Sequence, residues 1–337
     1  MILLTGSTGL LGSHLLSMLN DSGQMVRALV RRYPNPDAIK ALGLRYPHLV
    51  EWVIGDVLDI VSVARAMKGV RRVFHCAAFV SFRSEDRARI LNVNVKGTTN
   101  MVNLALDEGV DYFVHVSSIA ALGSKVGQYM TDEGEPWDDV PKGSVYGQSK
   151  YLSEREVWRG IGEGLPAVIV NPSVILGPGD WTKGSSALFK SVWEGLKYFT
   201  LGINGYVDVR DVAKAMLFLN NKEIIGERFV LNGSNLDYKT LFEMIAKALK
   251  CPPPVRYVTS FEGEIAWRLY ALKSLFSKSA PLVTKETARA AQRIYRYSSE
   301  KIERLGFNFT PIEITIEDTA QRFVFERSGG ISLNPSL

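Results

Sequence analysis

A chain of 337 residues, 46% hydrophobic and 22% charged, is long enough for one large domain or a domain with a second lobe, and its composition is that of a soluble globular protein. No apolar run approaches the roughly 18 residues that a membrane-spanning helix needs, and the two cysteines, Cys76 and Cys251, match no metal spacing. The net charge of +5 is concentrated between Arg256 and Lys301, where nine Lys and Arg face four Glu, so a nucleic-acid-binding surface spread over the molecule is not implied.

Met1 leads directly into Ile2-Leu3-Leu4, with no basic leader ahead of a long apolar core, so a secretory leader is not expected. Two reduced thiols in a cytoplasmic protein are the simplest expectation. Thr5-Gly6-Ser7-Thr8-Gly9-Leu10-Leu11-Gly12 follows the first strand, and Leu11, Leu15, Leu16 and Leu19 then recur at helical spacing. Gly23 ends that helix, and Met25 to Val30 reads as a second strand. In such a βαβ unit one glycine permits the tight turn, one lets the backbone approach a pyrophosphate, and one lets helix and strand pack closely. The helix N-terminus offers free N–H groups and the positive end of its dipole to the phosphates.

The second strand ends in Val30-Arg31-Arg32, with no acid before Asp37. An acid at that point would accept hydrogen bonds from a ribose 2′-hydroxyl, whereas a guanidinium grips a 2′-phosphate. Arg31 and Arg32 therefore favour NADP(H), with NAD(H) left open. Val50 to Ile54 is a third strand, followed by Asp56, whose carboxylate could reach an adenine amino group. Val61 to Met67 is helical, and Val70 to Ala77 is an apolar strand in which His75 reads as a strand residue rather than a ligand. Asn92 opens a long helix to about Glu108. Tyr112 to Ser118 and Ala167 to Asn171 are further strands.

This alternation predicts an α/β fold with a doubly wound parallel sheet covered on both faces. Ligands lie at the carboxyl ends of the strands in such sheets, so Gly6, Asp56, Ala78, Ser118 and Pro172 should line one crevice. Beyond Pro172 the periodicity is mixed. Residues 1–172 are expected to form the dinucleotide-binding domain, 206–232 to return to it, and 173–205 with 233–330 to form a smaller substrate lobe. The stretch 265–276, rich in large apolar residues with cations between them, reads as a packed helix or a lid; peripheral membrane contact is the alternative.

Tyr146-Gly147-Gln148-Ser149-Lys150 places a tyrosine and a lysine four residues apart, on one helical face. A cation held near a phenol favours the phenolate, so Lys150 is expected to lower the Tyr146 pKa and fit it for acid–base work. Alone, the spacing is common in helices.

Taken together, Thr5-Gly6-x-x-Gly9-x-x-Gly12, Asn94-Val95-x-Gly97-Thr98, Val116-Ser117-Ser118, Tyr146-x-x-x-Lys150, Asn171-Pro172-Ser173 and Val207-Asp208-Val209-x-Asp211-Val212-Ala213 occur in an order that resembles the extended short-chain dehydrogenase/reductase family. The closer likeness is to its dihydroflavonol-4-reductase-like and 3β-hydroxysteroid-dehydrogenase-like branch. The resemblance implies a Rossmann fold and a catalytic set of Ser118, Tyr146, Lys150 and Asn94. Ser117 is the neighbour with which Ser118 could be confused. It further implies that Gly6, Thr8, Gly9, Leu10, Leu11 and Gly12 cradle the pyrophosphate and that Asp56 and Val57 meet the adenine. Ala77, Ala78 and Phe79 would pass along the cofactor, and Pro172 and Val174 would flank the nicotinamide.

Reduction of a carbonyl on a small substrate, apolar or sugar-like, is the first expectation. A sugar epimerase and a non-catalytic cofactor-binding sensor are the alternatives. Ser118 is followed by Ile119-Ala120-Ala121, without the Asp-Glu pair of the family's dehydratases. Relatives often pair through two helices of the cofactor domain, which leaves a homodimer open. No metal is expected.

Overall fold

The computed structural model describes residues 1–81, 83–123, 130–134, 144–259, 262, 264 and 291–329. The elements run β1 (Ile2–Thr5), α1 (Leu10–Asp21), β2 (Val26–Val30), α2 (Pro36–Ala41), β3 (Val50–Ile54), α3 (Ile60–Met67), β4 (Arg72–His75) and α4 (Arg87–Leu91). A π-helical turn, Asn92–Lys96, leads into α5 (Gly97–Glu108), followed by β5 (Tyr112–Val116), a 3-10 turn Ile119–Ala121, α6 (Val145–Gly162) and β6 (Ala167–Pro172). Then come β7 (Val174–Leu176), α7 (Ala187–Trp193), β8 (Tyr198–Phe199), β9 (Ile203–Asp208), α8 (Val209–Asn221), β10 (Glu227–Leu231) and β11 (Ser234–Asp237). The last described elements are α9 (Tyr238–Leu249), β12 (Arg256–Tyr257), α10 (Glu300–Glu303) and α11 (Ile312–Arg327).

The apolar strands assemble into a seven-stranded sheet in the order β3-β2-β1-β4-β5-β6-β10. All its pairings are parallel. Strand order reverses between β1 and β4, and a ligand crevice opens at that point, beyond the carboxyl ends of the strands. On one face, Leu15, Leu16 and Leu19 of α1 pack with Val212, Met216 and Leu219 of α8. On the other, Val63, Met101, Val102 and Val157 bring in α3, α5 and α6. Each such side chain taken fully out of water is worth about 1.5–3 kcal/mol, so the two apolar layers hold the sheet between them.

The expected strands and helices of the first 172 residues are all found, with ends shifted by a few residues. In the second half, β9 pairs with β7 and β11 in a three-stranded sheet, while β10 joins the large sheet beside β6. Helices α7, α9 and α11 cover the small sheet through Phe189, Leu241, Ile245, Ile316 and Phe323. Helix α11 went unread in the sequence, although Ile312, Ile316, Ala320 and Phe323 repeat at helical spacing and are buried. Among the described residues, no helix is long and apolar enough to cross a membrane. The stretch 265–276 lies outside the described residues.

Candidate active site

One end of the crevice is shaped by missing side chains. Gly6 follows β1 with φ +72°, a left-handed conformation that a Cβ disfavours. Its carbonyl accepts the Gly9 N–H at 3.0 Å, closing the turn. A Cβ on Gly12 would run into that same Gly6 carbonyl, so the first turn of α1 can lie against the loop only with glycine there. Gly9 caps α1 without a side-chain hydrogen bond, and no acid occupies the first turn. The N–H groups and the positive dipole end therefore face an anion unopposed, which fits a pyrophosphate.

The other end is shaped by buried polar groups. Ser144 caps α6, accepting the Gly147 N–H at 2.9 Å, and so starts the helix just before Tyr146. Ser118 caps the 3-10 turn after β5, its Oγ accepting the Ala120 N–H at 3.1 Å. The Ser118 side chain lies close enough to the Tyr146 phenol to favour its ionised form. A Cβ on Gly147 would lie 2.6 Å from the Ala120 carbonyl, so glycine at that position lets the tyrosine helix reach the serine turn. The sequence reading gave Gly147 no role; a glycine inside a helical stretch, adjacent to the tyrosine, was the available signal.

Lys150 is 3% exposed, and its Nζ donates to the Val116 carbonyl at 2.8 Å. Burial lowers its pKa to about 8, with Cys76 and Glu154 opposing the shift. Burial pushes the Tyr146 phenol up to about 12, and the Ser118 side chain opposes this. The expectation that Lys150 lowers the tyrosine's pKa is thus corrected. Four-residue spacing puts both on one face, but the ammonium points down to the sheet, and desolvation governs the phenol.

Asn94 lies in the π-helical turn and is 1% exposed. Its Nδ2 donates to Ser149 Oγ at 2.8 Å and to the Phe79 carbonyl at 3.1 Å, while its Oδ1 accepts the Phe79 N–H at 2.7 Å. It thereby braces the loop after β4 against the tyrosine helix. Irregular helical turns of this kind recur at functional sites. Beneath them, His75 is held by Thr5 Oγ1 at 2.8 Å and Thr98 Oγ1 at 3.1 Å, and burial lowers its pKa to about 3. It is a neutral strand residue, as read from the sequence. Among the described residues, no group of three or more His, Cys, Asp or Glu could hold a metal.

Of the remaining candidates, Arg31 and Arg32 follow β2 and are exposed. Thr8 is exposed, Leu10 is partly buried and Leu11 is buried at the start of α1. Asp56 is partly buried, and its Oδ1 accepts the Leu58 N–H at 2.9 Å. Val57 is buried, its carbonyl bound by Asn100 Nδ2 at 2.9 Å. Ala77 donates its N–H to Thr5 Oγ1 at 3.1 Å, Ala78 is exposed, and Phe79 lies under the Arg89 guanidinium. Pro172 ends β6 and Val174 begins β7. Ser117 is buried against Glu154, whereas Ser118 is partly exposed, so Ser118 is the serine presented to the crevice.

Comparison with known proteins identifies the family and the fold. The model of the NAD dependent epimerase/dehydratase family matches residues 2–231. A "Putative dihydroflavonol 4-reductase" of Synechocystis sp. is 29% identical, covering 95% of this chain and 93% of the relative. "Sterol demethylase protein B" of Methylococcus capsulatus is 33% identical, covering 75% of each. Among solved structures, gox2253 superposes with a TM-score of 0.81 at 29% identity, covering 97% of this chain and 98% of the other. The matched residues run from the first strand of the glycine loop through the tyrosine helix to the last strand of the large sheet, and the chain belongs to the NAD dependent epimerase/dehydratase family, the extended short-chain dehydrogenase/reductases.

Proposed function

We propose that this protein is an NADP(H)-dependent reductase that converts a carbonyl on a small substrate to an alcohol. The observation that carries the reading is the meeting of Ser118, which caps the turn after β5, with Tyr146 on the first turn of α6, with Lys150 one helical turn further along. A phenol held near 12 is protonated at neutral pH, the form that gives a proton to a carbonyl oxygen. Ser118 Oγ already accepts the Ala120 N–H, which leaves its own proton to steady the oxygen as negative charge develops. The glycine loop and the α1 N-terminus would hold the pyrophosphate, Arg31 with Arg32 the 2′-phosphate, and Lys150 the nicotinamide ribose. The bound nicotinamide would supply the hydride. The reductase name of a relative similar along almost its full length supports the same outcome. Elimination of water fits less well, because Ile119 and Ala120 after Ser118 offer no acid or base.

The test is oxidation of NADPH and NADH, in parallel, against a panel of aldehydes and ketones. Faster NADPH oxidation with at least one carbonyl is expected. Faster NADH oxidation would overturn the cofactor assignment. Isomerisation of a nucleotide sugar without net cofactor oxidation would overturn the reductase assignment.

A further inference from the structure

A charged hub lies behind the Ser118–Tyr146 pair. Glu154 is fully buried on α6, two turns beyond Tyr146. Its Oε1 accepts a hydrogen bond from Asn171 Nδ2 at 2.5 Å, and its Oε2 meets Arg228 Nη1 at 3.4 Å. The same Asn171 amide nitrogen donates to the Ser118 carbonyl at 3.0 Å. Arg228, on β10, donates through Nε and Nη2 to the Glu133 carbonyl at 3.0 and 2.6 Å. The Glu133 carboxylate in turn accepts the Val230 N–H at 2.6 Å, beside the Arg228 strand.

Ser118 and Tyr146 are the two ends of one connection in the chain, and Glu133 belongs to its middle. Glu154 therefore reaches the Ser118 backbone through Asn171 and the Glu133 backbone through Arg228, and it shares α6 with Tyr146. A buried ion pair is a poor device for stability, because desolvation offsets most of the Coulomb gain. A polar network in a dry interior is a good device for fixing one arrangement; here Asn171 Nδ2 carries both of its links, while Asn171 Oδ1 is buried with no hydrogen-bond partner. We infer that Asn171 and Glu154 are positioning residues for the proposed reaction: the amide of Asn171, oriented by Glu154, sets the backbone of Ser118 against Tyr146. The inference rests on the reading of Ser118 and Tyr146 as the reacting pair.

The test is a double-mutant cycle with Asn171→Leu and Ser118→Ala, followed by NADPH-driven reduction of 9,10-phenanthrenequinone, with NADPH affinity read by nicotinamide fluorescence. Ser118→Ala should lower kcat at least tenfold, and Asn171→Leu about tenfold. The NADPH Kd of both should stay within threefold of wild type. The double variant should be no slower than Ser118→Ala by more than twofold, because Asn171 acts through Ser118. Glu154→Gln, which keeps an oxygen for the Asn171 amide, should retain more kcat than Glu154→Leu. Multiplying losses in the double variant, or an Asn171→Leu enzyme with wild-type kcat, would overturn the inference. An unaltered rate in Ser118→Ala would instead strike the proposed function. Should the quinone not turn over, amide hydrogen exchange decides. Lost protection in residues 117–123 of Asn171→Leu, with residues 1–12 unchanged, supports the inference; wild-type protection throughout overturns it.

Discussion

The proposed phosphate end and the proposed proton-transfer end of the crevice are made by opposite means. At the first, Gly6, Gly9 and Gly12 leave room for backbone N–H groups to face an anion, and no side chain caps α1. At the second, Asn94, Lys150, Glu154 and Asn171 are all buried polar residues tied to one another or to backbone carbonyls. A surface made of backbone is fixed by sterics, and fails when volume is added. A network of buried polar groups is fixed by mutual satisfaction, and fails when one partner is removed. The two ends should therefore separate cleanly under substitution, one in affinity and the other in rate.

The largest effect is expected at the proton-transfer end. Tyr146→Phe removes the hydroxyl and little else, so turnover should fall about 10³-fold while cofactor affinity stays near wild type. Single-turnover rates and a fluorescence titration of NADPH measure the two quantities on one sample. A loss of affinity equal to the loss of rate would erase the distinction between the ends.

Paired glycine substitutions sharpen the same contrast. Gly12→Ala drives a methyl group into the Gly6 carbonyl, and overpacking of this kind costs about 1–3 kcal/mol, so cofactor affinity should fall roughly ten- to a hundredfold. Gly147→Ala places its methyl against the Ala120 carbonyl, so it should separate Tyr146 from Ser118 and lower kcat with affinity kept. Equal effects of both on Kd would show that Gly147 matters only for stability.

The two ends also differed in how far they could be read before folding. The glycine loop is local: strand, turn and helix follow within twenty residues, and the apolar periodicity on either side identifies it. The Tyr146–Lys150 spacing was equally legible, because it depends only on helical geometry. The partner of the Lys150 ammonium was not, since Val116 is 34 residues away and its carbonyl carries no sequence signal. Asn171 sits within an apolar strand, Glu154 looks like any helix-surface acid, and Arg228 lies 74 residues beyond Glu154. Only packing of β6 and β10 against α6 turns these three into one network. The same blindness reversed the expected direction of the Tyr146 shift, because burial cannot be read from spacing.

Lys150 offers a test in which the rate-determining end shows its cost in stability. Its pKa of about 8 in the folded protein lies below the ordinary lysine value of 10.5. Below pH 8 both folded and unfolded chains hold the proton, and the folded state bears the full penalty of a buried cation. Between pH 8 and 10.5 the unfolded chain holds more protons, so stability from this group rises with pH. Lys150→Met should therefore stabilise the protein by about 2 kcal/mol near pH 7, and the advantage should shrink as pH rises toward 10. Urea midpoints of the two proteins across pH 6–10 measure it. A constant difference would mean that packing, not charge burial, separates them. Turnover should be lost in the same variant, the usual trade between stability and a working site.

The smallest effect is expected at the outer edge of the phosphate end, where side chains are exposed and water competes. Arg31 follows the last residue of β2, with no acid before Asp37 to bind a ribose hydroxyl instead. Two charge-assisted hydrogen bonds from an exposed guanidinium to a phosphate are worth about 1–2 kcal/mol net, so Arg31→Ala should lower the NADPH-to-NADH ratio of kcat/KM about tenfold. Nearly all of that change should fall on KM for NADPH, with kcat kept, because the 2′-phosphate makes no contact with the reacting atoms. Salt supplies an independent reading. Raising ionic strength from about 0.05 to 0.5 M shortens the screening length to a few ångströms, and it should erode the preference of the wild-type protein more than that of the variant. A preference that survives both the substitution and the salt would move the 2′-phosphate contact away from Arg31. A preference for NADH in the wild-type protein would remove that contact altogether.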